Sequence, residues 1–343
     1  DARRVLDDLA ESLPRLVESS DGILVARQSR SLRIEQNFTR DLDALRAALE
    51  RLGEGALISS TRGERSLLVS RLERAANPED ALTIEQAQVV EDQAEQVLRE
   101  IHMLARQEEA DALASIDQLR QMVSILSNLP GRKSVLFFGQ GVQTRPAEAI
   151  YRIWWQKYRA IANRLAVPSL QSQLDQTEIT SAFRRLLEVA NSQRVAFYSH
   201  DAGGPRSSSA GVEFASIGGA ASNAEESFEL QRALLQLARS TGGLGTLNNS
   251  SVEPLVERML RDFRSYYSLG FEPTDELPVR GRIEVRLRQP GLEVRHFDRF
   301  DGEAVAGDLD RAAMTALITD RADNPLGASI EVGEIERRGS GNY

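Results

Sequence analysis

The chain has 343 residues, 41% of them apolar and 27% charged, with a formal net charge of -9 and no cysteine. That much apolar material can bury a core and excludes disorder throughout, while an acidic chain without a long basic stripe lacks the clustered Lys and Arg of a nucleic-acid surface. Disulfides, thiolate nucleophiles and zinc sites of the cysteine type are excluded, and no apolar run reaches the roughly 18 residues of a membrane helix.

Val5, Leu6, Leu9, Leu13 and Leu16 recur at helical spacing, which predicts an amphipathic helix over residues 1–17 despite Pro14 near its end. The stretch has neither the basic-then-apolar layout of a signal peptide nor a leading Met, so the chain reads as a piece excised from a longer one. Ile23 to Ala26, a polar turn, and the alternation of Leu32, Ile34 and Phe38 predict paired strands. Thr39 can cap a following helix whose stripe is Leu42, Leu45, Leu49 and Leu52.

A polar linker over 53–63 leads to a short helical segment ending near Asn77-Pro78. Residues 79–129 then contain neither Gly nor Pro. Their stripe of Val90, Ala94, Val97, Ile101 and Leu104, then Leu113, Ile116, Leu119, Val123 and Leu126, predicts one very long helix. Unbroken, it would span on the order of 70 Å. The charged patch at 106–111 interrupts the stripe, so a bend there or a hairpin of two helices is the alternative.

At Leu129-Pro130-Gly131-Arg132-Lys133 the pattern switches to the continuous apolar run Val135-Leu136-Phe137-Phe138, the signature of a parallel strand buried on both faces. Val195-Ala196-Phe197-Tyr198 is a second such run, after a helix carrying Phe183, Leu186, Leu187 and Ala190. Gly245-Thr246-Leu247 is a weaker third, after a helix carrying Leu230, Leu234, Leu235 and Leu237. Strands alternating with helices predict an α/β fold with a doubly wound, mostly parallel sheet. In such sheets ligands bind beyond the carboxyl ends of the strands. The first two runs are expected side by side at the centre of one sheet. Farther on, 266–271 and the pair 281–288 and 291–297, hinged at Gln289-Pro290-Gly291, alternate like antiparallel strands and predict a β annex. The tail 301–343 carries one short helical pattern at 309–318 and a candidate strand at 329–332, like the start of another module.

Taken together, the segment 129–141, the strand 194–201, Thr241-Gly242-Gly243, the 266–273 segment and 282–297 occur in an order and spacing that resemble the bacterial, Acidobacteria-type von Willebrand factor A-related domain proteins. The resemblance covers about residues 1–300. It implies a von Willebrand factor A-like, Rossmann-like domain over 1–270 that lacks its first strand, with a helical insertion at about 61–128 and a hairpin extension at 271–300. It further implies an exported protein, periplasmic or extracellular, that binds a protein partner. Members of the wider fold hold Mg²⁺ at a metal-ion-dependent adhesion site through an Asp-x-Ser-x-Ser motif, a loop Thr and an Asp after the fourth strand. Here neutral Gln140 stands where that Asp is expected and the Asp-x-Ser-x-Ser segment is not present. Ser59, Ser60 and Thr61 offer at most a hydroxyl, so the site reads as degenerate, with Mg²⁺ expected only in a longer parent.

The resulting expectation is a non-catalytic adhesion or scaffold module with no cofactor, no nucleic acid and no membrane span. The alternative is a hydrolase or other enzyme acting at the carboxyl ends of the strands. Ser199-His200-Asp201 invites that reading, but consecutive strand residues point in alternate directions and a triad is assembled from separate segments, so the expectation is a strand end with its polar groups in solvent. No Gly-x-Ser-x-Gly elbow and no His pair at metal spacing occurs. Tyr151, Trp154, Trp155 and Tyr158 gather both tryptophans of the chain in one helical segment. Such aromatics anchor interfaces or pack against the insertion. Since consecutive residues diverge by about 100° on a helix, one tryptophan is expected inside and the other available. A Gly, Ser and Ala-rich loop over 203–222 could close over a ligand.

Overall fold

The computed structural model of the chain describes residues 2–301 except 30, 55–59, 82, 128, 130, 140, 163–176, 202–216, 268–279, 289–290 and 292–293. The expected tail elements, Gln140 and most of the 203–222 loop lie outside the described residues. The end of that loop region is helical. Thr61 falls within a helix, but its side chain is not among those described.

The chain opens with α1 (Ala2–Glu18), the antiparallel hairpin β1 (Ile23–Gln28) and β2 (Leu32–Thr39), and α2 (Leu42–Glu54). Asp41 starts α2 by accepting hydrogen bonds at Oδ1 from the amides of Asp43 and Ala44, which satisfies two otherwise orphan donors. Next come α3 (Ser60–Arg74) and α4 (Ile84–Ser127), a single helix of 44 residues. The charged patch therefore does not divide it into two helices.

After α4 the order is β3 (Lys133–Gly139), α5 (Glu148–Ala162), α6 (Thr177–Ser192), β4 (Val195–Asp201), α7 (Ile217–Ser240), β5 (Gly245–Thr246) and α8 (Glu253–Arg264). β3, β4 and β5 form a parallel sheet in that order, with Val135 opposite Phe197 and Ser199 opposite Gly245. The two long apolar runs are thus parallel neighbours, as their composition predicts. Their burial differs from expectation. All seven residues of β4 are buried, while all seven of β3 are only partly so. β4 has a strand on each side, whereas β3 is the outer strand of the described sheet.

Side chains alternate across this layer. Val135, Phe137, Val195 and Phe197 pack with α4, α6 and α7 on one face; Leu136, Phe138, Ala196 and Tyr198 pack with α1, α2 and α8 on the other. The first hairpin feeds the same two cores, Leu24 and Ala26 joining one and Ile23 and Val25 the other. Close packing leaves no room at Gly243, where an added Cβ would stand 1.9 Å from the carbonyl oxygen of Phe197. Among the described residues the C-terminal annex shows β6 (Arg280–Arg282) paired antiparallel with β7 (Arg299–Asp301), and Phe297 bridging to Thr241 beside the parallel sheet, while 268–271 and parts of the expected hairpin lie outside them.

A third core lies apart from the sheet, in a lobe of α3, the first half of α4 and α5. Leu68, Leu72, Val97, Ile101, Ile150, Trp154 and Tyr158 fill it. Lys157 closes α3 by donating to the carbonyls of Leu72 at 2.7 Å and Ala75 at 2.6 Å, which satisfies acceptors at the helix end. At the other end of the lobe, Arg65 and Glu108 form a buried bidentate pair at 2.6 and 2.7 Å. The second oxygen of Glu108 also accepts the amide of Ala147 at 2.8 Å, so one carboxylate ties α3, α4 and the entry to α5 together.

Candidate functional site

Two places carry the residues singled out by the sequence, and they belong to different parts of the fold. The first is the carboxyl end of the parallel sheet. Ser199, His200 and Asp201 close β4 there, and all three are buried instead of facing solvent. The correction follows from β4's central position, since α7 covers one face of its end and α1 the other. The expected divergence does occur. Ser199 donates its hydroxyl to the carbonyl of Leu234 in α7 at 2.9 Å, and Asp201 accepts from Gln231 of the same helix at 2.8 Å. His200 turns the other way, with Nδ1 2.8 Å from Thr246 Oγ1 in β5 and its ring edge-on to Phe138 of β3, centroids 6.1 Å apart. The three side chains form no proton relay.

Around them the polar groups are spent on holding elements together. Gln231 also donates to Asn248, and Asp8 of α1 accepts from the hydroxyl of Ser251 at 2.6 Å and the amide of Val252 at 3.2 Å, which fastens α1 to the start of α8. Burial pushes the imidazole of His200 below its ordinary range, against the opposing pull of Asp201 and Asp8. Among the described residues no group of three His, Asp or Glu side chains could hold a metal ion. The two nearby carboxylates, Asp8 and Asp201, are committed to these hydrogen bonds. This donor set does not fit Mg²⁺, which needs several free hard oxygens in octahedral array.

On the opposite branch of the sheet face, Tyr198 donates to Asp262 at 2.8 Å, and Asp262 is also ion-paired with Arg295. Burial, and then the Asp262 contact, push the Tyr198 hydroxyl up to about 12. This network fixes the end of α8 and the annex to β4. A cleft of about 600 Å³ lies along β5, lined among others by Gly243, Gly245, Arg239, Arg282 and His296.

The second place is α5. Tyr151, Trp154 and Tyr158 are core residues of the helical lobe, with Trp154 1% exposed and its indole N–H donated to the carbonyl of Ala94 at 2.8 Å. Burial pushes the Tyr151 hydroxyl up to about 12. Three of the four candidate partner-binding aromatics are therefore unavailable to a partner, because α4 presents an apolar stripe that takes up that face of α5. Trp155 alone is half-buried. It leans on Trp154 with ring centroids 6.2 Å apart and shares its side of the helix with Arg152 and Arg159. Arg152 is held by Glu148 at 2.8 Å, and Arg159 is exposed.

Sequence reasoning missed the Arg65–Glu108 pair. The signal was present: Glu108 stands four residues after buried Leu104 and four before buried Ala112, in line with the apolar stripe. No helix among the described residues is long and apolar enough to cross a membrane. No family model matches the chain, and neither a curated protein nor a solved structure matches it.

Proposed function

We propose that the chain is a non-catalytic protein-binding module of von Willebrand factor A-like architecture, with a degenerate metal site and a partner surface on α5 centred on Trp155. The observation that carries the binding surface is the contrast within one helix turn: Trp154 is enclosed while Trp155 is only partly buried, with Arg152 and Arg159 three residues before and four after it. Trp and Arg are the residue types enriched at interface hot spots. An exported location belongs to the same reading.

The doubly wound sheet is supported by the alternation already described. β1 and β3 send side chains into the same two cores, yet among the described residues β1 pairs with β2 alone and β3 with β4 alone. One further parallel strand between them would join all five strands into a single sheet and bury β3 on both sides, as its composition demands. The enzyme reading draws support from one observation, an enclosed His200 at the carboxyl ends of the strands.

Two measurements follow. Added Mg²⁺ at millimolar concentration is expected to leave the melting temperature unchanged; saturable stabilisation would overturn the degenerate-site reading. Trp155→Ala is expected to weaken binding to a partner by about 2 kcal/mol, roughly 30-fold in Kd, while the chain stays folded and loses less melting temperature than Trp154→Ala does. Undiminished affinity would remove Trp155 from the interface.

A further inference from the structure

The imidazole of His200 touches the carboxyl ends of all three parallel strands: it belongs to β4, meets Thr246 of β5 through Nδ1 and packs edge-on against Phe138 of β3. It is fully buried, and its Nε2 has no hydrogen-bond partner among the described residues. Such an orphan is costly in a packed interior, and a native one calls for an explanation. We propose that His200 is a proton-operated latch: neutral, it lets the strand ends close onto α1, and protonated, it releases the connection from β5 to the first turn of α8.

The groups around the ring define how the latch works. α1 contributes Asp8, engaged with Ser251 and the amide of Val252. β4 itself contributes Asp201, engaged with Gln231 of α7. At the same α1 contact, Glu253 of α8 is ion-paired with Arg15 and accepts from Ser12. Among the described residues, β3 contributes Phe138 and β5 contributes Thr246. A proton on His200 creates a buried cation with two N–H donors. Thr246 Oγ1 can accept one, and the other has no acceptor among the described residues as the ring now sits. Asp8 and Asp201 are the carboxylates whose charges act on the ring. Recruiting Asp8 would take it from Ser251 and Val252, and with it the tie between α1 and α8.

The sign follows from burial. The folded chain holds His200 below the ordinary histidine value of about 6.5 that applies when unfolded. Between the two values the unfolded or opened state binds more protons, so the closed arrangement is fully stable above about pH 6.5 and weakens as pH falls below it.

The test uses the intact chain, with NMR titration of its histidines and amide hydrogen exchange at 246–253 between pH 7.5 and 5, corrected for intrinsic rates. The expected result is a His200 resonance that titrates below 6.5, with protection at 251–253 falling tenfold or more toward pH 5. In His200→Gln, which cannot take up the proton, protection should be independent of pH. Equal loss of protection in His200→Gln would overturn the latch. So would constant protection in the unaltered chain, or a His200 titration at or above 6.5, and these two readouts need no variant.

Discussion

Replacing Glu108 with Ala is expected to destabilise the chain by about 3–5 kcal/mol, as the loss of one partner from a buried ion pair does. The side chains of Arg65 and Glu108 are 2% and 6% exposed, so the guanidinium left behind would be a buried charge that has lost its bidentate carboxylate. The same substitution orphans the amide of Ala147, a residue held at φ 52 where the chain turns into α5. Part of the effect comes from that strained entry, where the carbonyl of Ala147 still accepts from the amide of Tyr151 but its own amide loses the carboxylate that holds it. A double replacement, Arg65→Met with Glu108→Leu, should recover much of the loss, because an apolar pair of similar volume avoids burying charge at all. Urea denaturation of the three variants checks both statements. A cost below about 1 kcal/mol for Glu108→Ala would mean that water reaches the pair.

Trp154→Ala is expected to cost a further large amount, about 3–5 kcal/mol, the usual range for deleting a large buried aromatic. Its indole fills the space between α4 and α5, stacks at 5.5 Å from the ring of Tyr158 and gives its N–H to the carbonyl of Ala94. Trp155→Ala, one residue along, should cost clearly less, since that side chain packs on the same core but is only partly buried. The comparison is informative because the two residues have the same chemistry and differ only in direction on the helix. Equal losses would mean that both indoles serve the core, which leaves α5 with no aromatic to offer a partner.

Much of this architecture is legible in the amino-acid pattern. The period of 3.6 in α1, α2 and α4, the hairpin, and the unbroken apolar runs of β3 and β4 all identify their elements, because burial on one face or on both leaves a periodic trace. What is not legible depends on neighbours distant in sequence. Val135 to Phe138 read as a central strand, yet in the described sheet β3 is an outer strand, since strand composition reports the burial a segment is built for and not which partner is beside it. Tyr151, Trp154 and Tyr158 read equally well as interface or core, and only the stripe on α4 decides between them. Ser199-His200-Asp201 reads as a wet strand end, but α1 and α7 extend far enough to cover it. The charged patch in α4 reads as a break because its one inward residue, Glu108, finds its cation 43 positions away.

A photo-reactive phenylalanine analogue placed at position 155, with the same label at position 154 as a control, tests the binding surface most directly. Irradiated in an extract containing the natural partners, the label at 155 is expected to give one adduct of defined mass that is competed away by unlabelled chain but not by the Trp155→Ala variant. The label at 154, enclosed by α4, should give none in the folded chain. No adduct from 155 above the control, or equal competition by the Trp155→Ala variant, would contradict a partner surface centred on this residue.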